Sequence, residues 1–505
     1  MTAHSTGIGD YRRARRLWQA VLLLPLCFQV HAASTVAEAR QQLRAAADSA
    51  DKKDTARAQA SVLAAIGNPA FDSLDEPTRH AALTLAAQLS LQMNDFEQAH
   101  RFAVRATQSA EPSVDDWRNR LTASMKLADR RDEAESLTAI ARHWGADRSL
   151  LPDATVRQVV RETVKVDAPA RLDLLQALYE LRWRPRDDTT VDAWWTELSR
   201  LLLDQNRTED AIQIAAIVED PRDIIAFRAD RRFQPLLKSS RVRSNPRRAA
   251  KDEIEALRAK VLQQPRSLWA LQRLMYALIN SRFDAEAIQL SEDAARRMEA
   301  AGDGPAPFAD TERYRWIFDI EARALGHLGR YDAAVRQLRR SVELKHTDDV
   351  VSQPIDLALL LCELDRPDEA MAALPAPDGA NSYGKMLIAL VQLTAAVERG
   401  AAEDADKALS YLRDHRTDNP GILQSGLLRA GKLDDAELVL LSRMNDPDER
   451  TAALVAIQFY FEPNLPPRAA QWRDRRVALR ERPAVRAAIA KFGDIANYPW
   501  TYGYD

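Results

Sequence analysis

The chain has 505 residues, 71 Lys and Arg against 74 Asp and Glu, and only 16 Gly. Its surplus of Ala, Leu, Arg, Glu and Gln over β-branched and aromatic residues is that of a chain of strong helix formers, so an all-α class follows. The near-balanced charge excludes a strongly basic polyanion binder, and no stretch beyond the N-terminus approaches the roughly 20 apolar residues of a membrane-spanning helix.

Arg12, Arg13, Arg15 and Arg16 precede an apolar run from Leu17 to Phe28, which ends at Val30-His31-Ala32. This order is that of a secretory signal peptide over residues 1–32, with the mature chain beginning at Ala33. The run is short for a membrane span. Leu26 stands where lipoprotein processing at Cys27 wants a small residue, and Gln19 where a twin-arginine signal wants an apolar one. Cleavage removes four Arg and one Asp and leaves 67 basic against 73 acidic residues, which implies no polyanion partner. Cys362 is then the only cysteine, so no intrachain disulfide forms and stability must come from packing. The preference for Arg over Lys fits a high-GC bacterial genome, and with the signal it places the chain in the periplasm or outside the cell.

Beyond the signal, a period of 30 to 40 residues recurs. Its clearest unit is Ala324-Leu325-Gly326-His327-Leu328-Gly329-Arg330-Tyr331-Asp332-Ala333-Ala334 followed by Leu338: a helix, a tight turn at Gly329, an aromatic, then a small residue on the next helix. The same order appears at Asn94-Asp95-Phe96 before Ala99, at Arg130-Arg131-Asp132-Glu133 before Ala134, at Arg207-Thr208-Glu209-Asp210 before Ala211, at Arg366-Pro367-Asp368-Glu369 before Ala370, and at Gly431-Lys432-Leu433-Asp434-Asp435 before Ala436. The small residue opening each second helix therefore serves as a marker, since two helices crossing there leave room for a methyl group only. Ala58, Ala170, Ala250, Ala287 and Ala405 complete the series, with Ala170, Ala250 and Ala405 resting on helix period alone.

This pattern resembles the tetratricopeptide repeat (TPR), over roughly residues 35 to 465. The resemblance implies an all-α, TPR-type helix-turn-helix solenoid, an α-α superhelix whose first helices line a concave groove. Glu321 stands where the family buries a leucine, so that register can slip by one. The expected organisation is an N-terminal array over 33–238, a basic linker over 239–250, a C-terminal array over 251–465, and a helical cap with an aromatic tail over 466–505. Asp223 to Leu237, with Ile224, Ile225, Phe227, Phe233 and Leu236, is expected to dock as a short helical cap on the first array. Gly302, Gly304, Pro305 and Pro307 mark a polar loop. Arg241, Arg243, Arg247 and Arg248 lack interleaved stacking aromatics and read as a solvated linker, not a nucleic-acid patch.

A search for chemistry finds no HExxH, GxSxG, P-loop, GxGxxG or CxxC pattern. His80, His100, His143, His327, His346 and His415 include no pair at the i, i+4 spacing that a helical metal site needs. Glu135-Ser136 matches the catalytic start of a lytic transglycosylase in two residues only, and lies inside a second helix. Cys362 among Leu357, Leu359, Leu360 and Leu361 reads as a buried small hydrophobe. Tyr498, Trp500, Tyr502 and Tyr504 are expected to pack on the last helix. No cofactor or metal is called for. The resemblance implies a scaffold or adaptor, not an enzyme, that takes a protein or peptide partner and no nucleic acid. In the register of the family, Asn119, Arg120, Arg200 and Arg323 fall on first helices facing the groove, with His327 one turn beyond Arg323. The alternative is an all-α enzyme acting on cell wall or polysaccharide, which convergent groove carboxylates with raised pKa values would favour.

Overall fold

A computed structural model describes residues 35–164, 168–187, 189–302, 304–344, 351–462 and 464–500. The signal segment, the start at Ala33, His346, Tyr502 and Tyr504 lie outside them. The described chain is helical almost throughout and divides into two compact units after Trp183.

The first unit holds α1 (Val36–Asp51), α2 (Thr55–Ile66), α3 (Glu76–Gln92), α4 (Phe96–Thr107), α5 (Val114–Leu127), α6 (Arg130–Trp144), α7 (Asp153–Glu162) and α8 (Ala168–Glu180). The second begins with α9 (Asp192–Asp204), α10 (Thr208–Ala215), α11 (Pro221–Ala229), α12 (Gln234–Leu237) and α13 (Pro246–Gln263). It continues with α14 (Leu268–Asn280), α15 (Asp284–Ala301), α16 (Tyr314–His327), α17 (Tyr331–Glu343), α18 (Ser352–Glu363), α19 (Pro367–Ala373), α20 (Ser382–Arg399) and α21 (Ala402–Asp414). It closes with α22 (Pro420–Arg429), α23 (Leu433–Asn445), α24 (Arg450–Ala456), α25 (Pro467–Glu481) and α26 (Pro483–Phe492). The only strands among the described residues are β1 (Phe459–Tyr460) and β2 (Asn497–Tyr498), which pair in parallel.

Among the described residues nine hairpins share one turn. A residue with left-handed backbone, φ between 58° and 74°, stands two positions before each second helix: Lys53, Asn94, Ala128, Asn206, Arg282, Gly329, Asp365, Gly400 and Gly431. The following amide donates to the carbonyl five residues back, as from Asp95 to Ser90, Arg330 to Leu325 and Lys432 to Leu427, at 2.8–2.9 Å. This is the Schellman closure, which satisfies carbonyls the first helix leaves unpaired. Arg182 makes a tenth, through Trp183 and Leu178.

Counting five residues on from the turn gives Ala58, Ala99, Ala211, Ala287, Ala334, Ala370, Ala405 and Ala436. All are fully buried except the half-buried Ala405. Two markers need correction. Ala170 lies on α8, which itself ends in the Arg182 turn and so is a first helix, and Ala250 lies on α13, which enters α14 with no left-handed turn. The Ala134 marker is one residue late, because the fifth residue after Ala128 is Glu133. The register at Glu321 does not slip: its buried carboxylate accepts from Ser291 Oγ at 2.6 Å and Gln337 Nε2 at 2.8 Å, and the Gly329 to Ala334 spacing is kept.

The units divide at Trp183 and not across 239–250, where α13 already begins at Pro246 with Ala249 and Ala250 buried. Arg241 pairs with Glu209, and Arg243 with Glu219 and Asp252, so this segment is tied to its own unit. Ile224, Ile225, Phe227 and Phe233 are buried, but within the second unit, where α11 packs on α24 and Ile225 meets Tyr498 and Trp500. Tyr498 and Trp500 stack with ring centroids 5.6 Å apart, so this part of the tail packs.

Candidate functional site

The five residues singled out from the sequence fall into different surroundings. Arg120 on α5 donates Nε to Asp132 at 2.8 Å and Nη1 to Thr107 at 3.1 Å, while Ser124 and His100 also contact Asp132, at 2.5 and 2.9 Å. Burial raises the Asp132 pKa, but these hydrogen bonds and the Arg120 charge outweigh it and hold the carboxyl below the usual range. Asn119 is buried beside Arg120, with Nδ2 lacking a hydrogen-bond partner among the described residues. In the second unit Arg200 is buried between Asp204 at 3.0 Å and Asp448 at 2.8 Å. Arg323 is half-exposed and bridges Asp319, at 3.4 Å, to Asp356 of the next first helix, at 3.3 Å. His327 Nδ1 meets Asp284 at 2.7 Å. Arg120 thus engages a buried carboxylate, Arg200 is itself buried against two exposed ones, and Arg323 keeps the more accessible guanidinium.

His327 belongs to a row. It stands two residues before the left-handed Gly329, and Glu363, Glu398 and Arg429 stand two before Asp365, Gly400 and Gly431. Four consecutive first helices therefore end in a titratable side chain at one edge of the second unit. Burial pushes the Glu363 carboxyl up, against the Arg429 charge. Glu398 is pushed to about 7 by burial; both its oxygens are shielded from solvent and neither has a hydrogen-bond partner among the described residues. Arg429 lies 4.1 Å over the Trp472 ring. Cys362, next to Glu363, is fully buried with its thiol pushed up to about 12 by burial, which leaves it no thiolate for nucleophilic chemistry. Sequence reading found His327 and passed over Glu363, Glu398 and Arg429, although aligning the repeats on their turns would have exposed them.

The recurrence of one Schellman turn, with an alanine five residues beyond it in eight of the nine described hairpins and its methyl buried in seven, decides the family likeness. The chain is a TPR-like helical-repeat protein. No family model matches it, and no curated protein does. Among solved structures it is similar to a tetratricopeptide repeat protein from Parabacteroides merdae, at 12% identity and TM-score 0.27, over 64% of this chain and 99% of that one. It is also similar to the APC/C hetero-tetramer Cut9-Hcn1, at 12% identity and TM-score 0.22, over 90% and 96% of the two chains. A third is Naa15/Naa10 bound to HypK-THB, at 14% and 0.22, over 83% and 65%. At such scores the assignment rests on the chain's own repeat geometry.

In this TPR-like unit the turn edge is covered by the chain itself. Phe461 lies under the Arg282 guanidinium at 3.8 Å. Asn464 Nδ2 donates to the His327 carbonyl at 2.7 Å, beside Gly329. Arg468 donates twice to Asp365, at 2.8 and 3.0 Å, and Arg475 Nη1 donates to the Leu428 and Arg429 carbonyls at 2.7 Å, beside Gly431. The C-terminal segment expected to cap the end of the array therefore also runs back along it, touching the turns of four repeats.

Proposed function

We propose that this TPR-like chain is an exported scaffold or adaptor, periplasmic or secreted, that binds a protein or peptide partner as an accessory to an envelope complex. The observation that carries the binding role is Glu398: a carboxylate with no hydrogen-bond donor among the described residues, set among charged neighbours at the end of a first helix, is an acceptor left for a ligand's N–H or cation. Arg323, one turn before His327, supplies the complementary donor for carboxylates or peptide carbonyls. The export half of the proposal rests on the Arg12 to Ala32 signal pattern. Affinity capture from a bacterial envelope fraction tests the reading. The unmodified chain should retain a protein that an Arg323→Ala, Glu398→Ala variant of unchanged helicity does not, and equal recovery would sink it.

Glu363 and Glu398, both raised by burial, favour a second reading as an enzyme on cell wall or polysaccharide. Release of soluble sugar from peptidoglycan or polysaccharide by the chain, abolished in Glu398→Gln, would establish that reading instead.

A further inference from the structure

Helix α25 is poorly buried for a structural cap. Of its 15 residues only Trp472, Leu479 and Arg480 are buried, and most of its other attachments are polar: Arg468 to Asp365, Arg475 to the Leu428 and Arg429 carbonyls, Arg476 to Glu462, and Arg480 to the Ile457 and Gln458 carbonyls and over the Phe459 ring. Such an element lies at the low end of local stability, since little apolar area opposes its release. Its contacts with the repeats come from one face. Arg468, Trp472, Arg475 and Leu479 stand at i, i+4, i+7 and i+11, the spacing by which an amphipathic helix lies in a groove. Beneath them lie Asp365, Glu398 and the carbonyls of Leu428 and Arg429, acceptors opposite the two arginines, while Trp472 packs on the Arg429 guanidinium at 4.1 Å.

We propose that residues 464–482 form a detachable strap, and that the turn edge it covers is the binding surface for a partner's basic helix with arginine, aromatic, arginine and aliphatic side chains at that spacing. The strap is the chain's own stand-in for this ligand. The inference rests on the scaffold reading and sharpens it, because it names the surface and the chemistry of the partner. Partner binding then requires release of the strap, and the apparent affinity is lowered by the small fraction of molecules in which the strap is open.

The test uses a fluorescein-labelled peptide of residues 464–482 and the purified chain. Reversing the strap's charges with Arg468→Glu and Arg475→Glu should leave helicity unchanged and tighten peptide binding by roughly tenfold or more. Adding Asp365→Asn and Glu398→Gln should remove that gain. A folded double variant that binds the peptide no better than the unmodified chain overturns the proposal. If the double variant does not fold, hydrogen exchange on the unmodified chain decides: amides of 468–481 exchanging faster than those of α20, and slowed by added peptide, support the strap, whereas protection equal to α20 overturns it. An envelope partner retained equally by the unmodified chain and the folded double variant would refute the strap and leave the scaffold reading standing. Peptide binding without any envelope partner would do the reverse.

Discussion

Glu133 occupies in its repeat the position that Ala99 occupies in the one before, five residues after the left-handed turn, and both are fully buried. Glu133 is tolerated because Arg130, three residues earlier, donates to it at 2.6 Å, and Arg130 also reaches Glu162 at 3.2 Å. Its Oε2 still has no hydrogen-bond partner among the described residues, and burial raises its pKa. Glu133→Ala should therefore stabilise the first unit by about 1 kcal/mol near neutral pH, since it removes a poorly satisfied buried carboxylate and Arg130 keeps Glu162. Because the folded pKa lies above the unfolded one, the folded state takes up the proton first, and stability rises as pH falls through that interval. Urea titration across this range should show the slope flattened in Glu133→Ala.

The same comparison predicts the cost of acidic substitutions elsewhere. Ala99 and Ala334 have Phe96 and Tyr331 three residues before them, so no arginine is placed to receive a carboxylate. Ala99→Glu and Ala334→Glu should each cost roughly 2 to 4 kcal/mol through overpacking and charge burial. The half-buried Ala333 is the control, and Ala333→Glu should be mild. Similar denaturation midpoints for all three would mean that the repeat register is wrong.

Ala128 holds φ at 58°, a conformation that glycine takes without steric penalty and alanine does not. Ala128→Gly should stabilise by about 0.5 to 1 kcal/mol, and Gly329→Ala, at φ 72°, should destabilise by about 1 kcal/mol. Thermal melting of both variants reads the opposite signs.

Asp132 gathers Arg120, Ser124 and His100, and its folded pKa lies below the ordinary 3.8. Its stabilisation is complete above the unfolded pKa and is lost as pH falls through the folded one, so the loss lies below about pH 4. Asp132→Asn should cost about 2 kcal/mol at pH 7, because the half-buried Arg120 loses its main counter-charge and keeps only the longer contact to Glu135, at 3.4 Å. The variant should also lose its share of the acid transition, measured by circular dichroism.

The proposed export, with cleavage after Ala32, predicts a mature chain that begins at Ala33, with Ser34 the next start. N-terminal sequencing that returned Met1 or Thr2 would refute both the cleavage and the periplasmic assignment.

What the sequence determined by itself is local. Turn residues, helix formers and an alanine five positions beyond the turn all act within one hairpin, so Ala99, Ala334, Ala370 and Ala436 could be placed without neighbours, and the burial of Cys362 followed from the leucines around it. Where that local signal was thin the reading failed: Ala170 and Ala250 matched the period but not the turn, whose left-handed residue can be Arg, Lys or Asp as readily as Gly. The covered edge was not legible, because Phe461 on Arg282 and Asn464 on His327 join residues more than a hundred positions apart. Such contacts depend on how repeats stack and how the chain returns along them, and only tertiary packing decides that. It also decides protonation, since Glu398 reads as an ordinary surface carboxylate until burial without a donor pushes it to about 7.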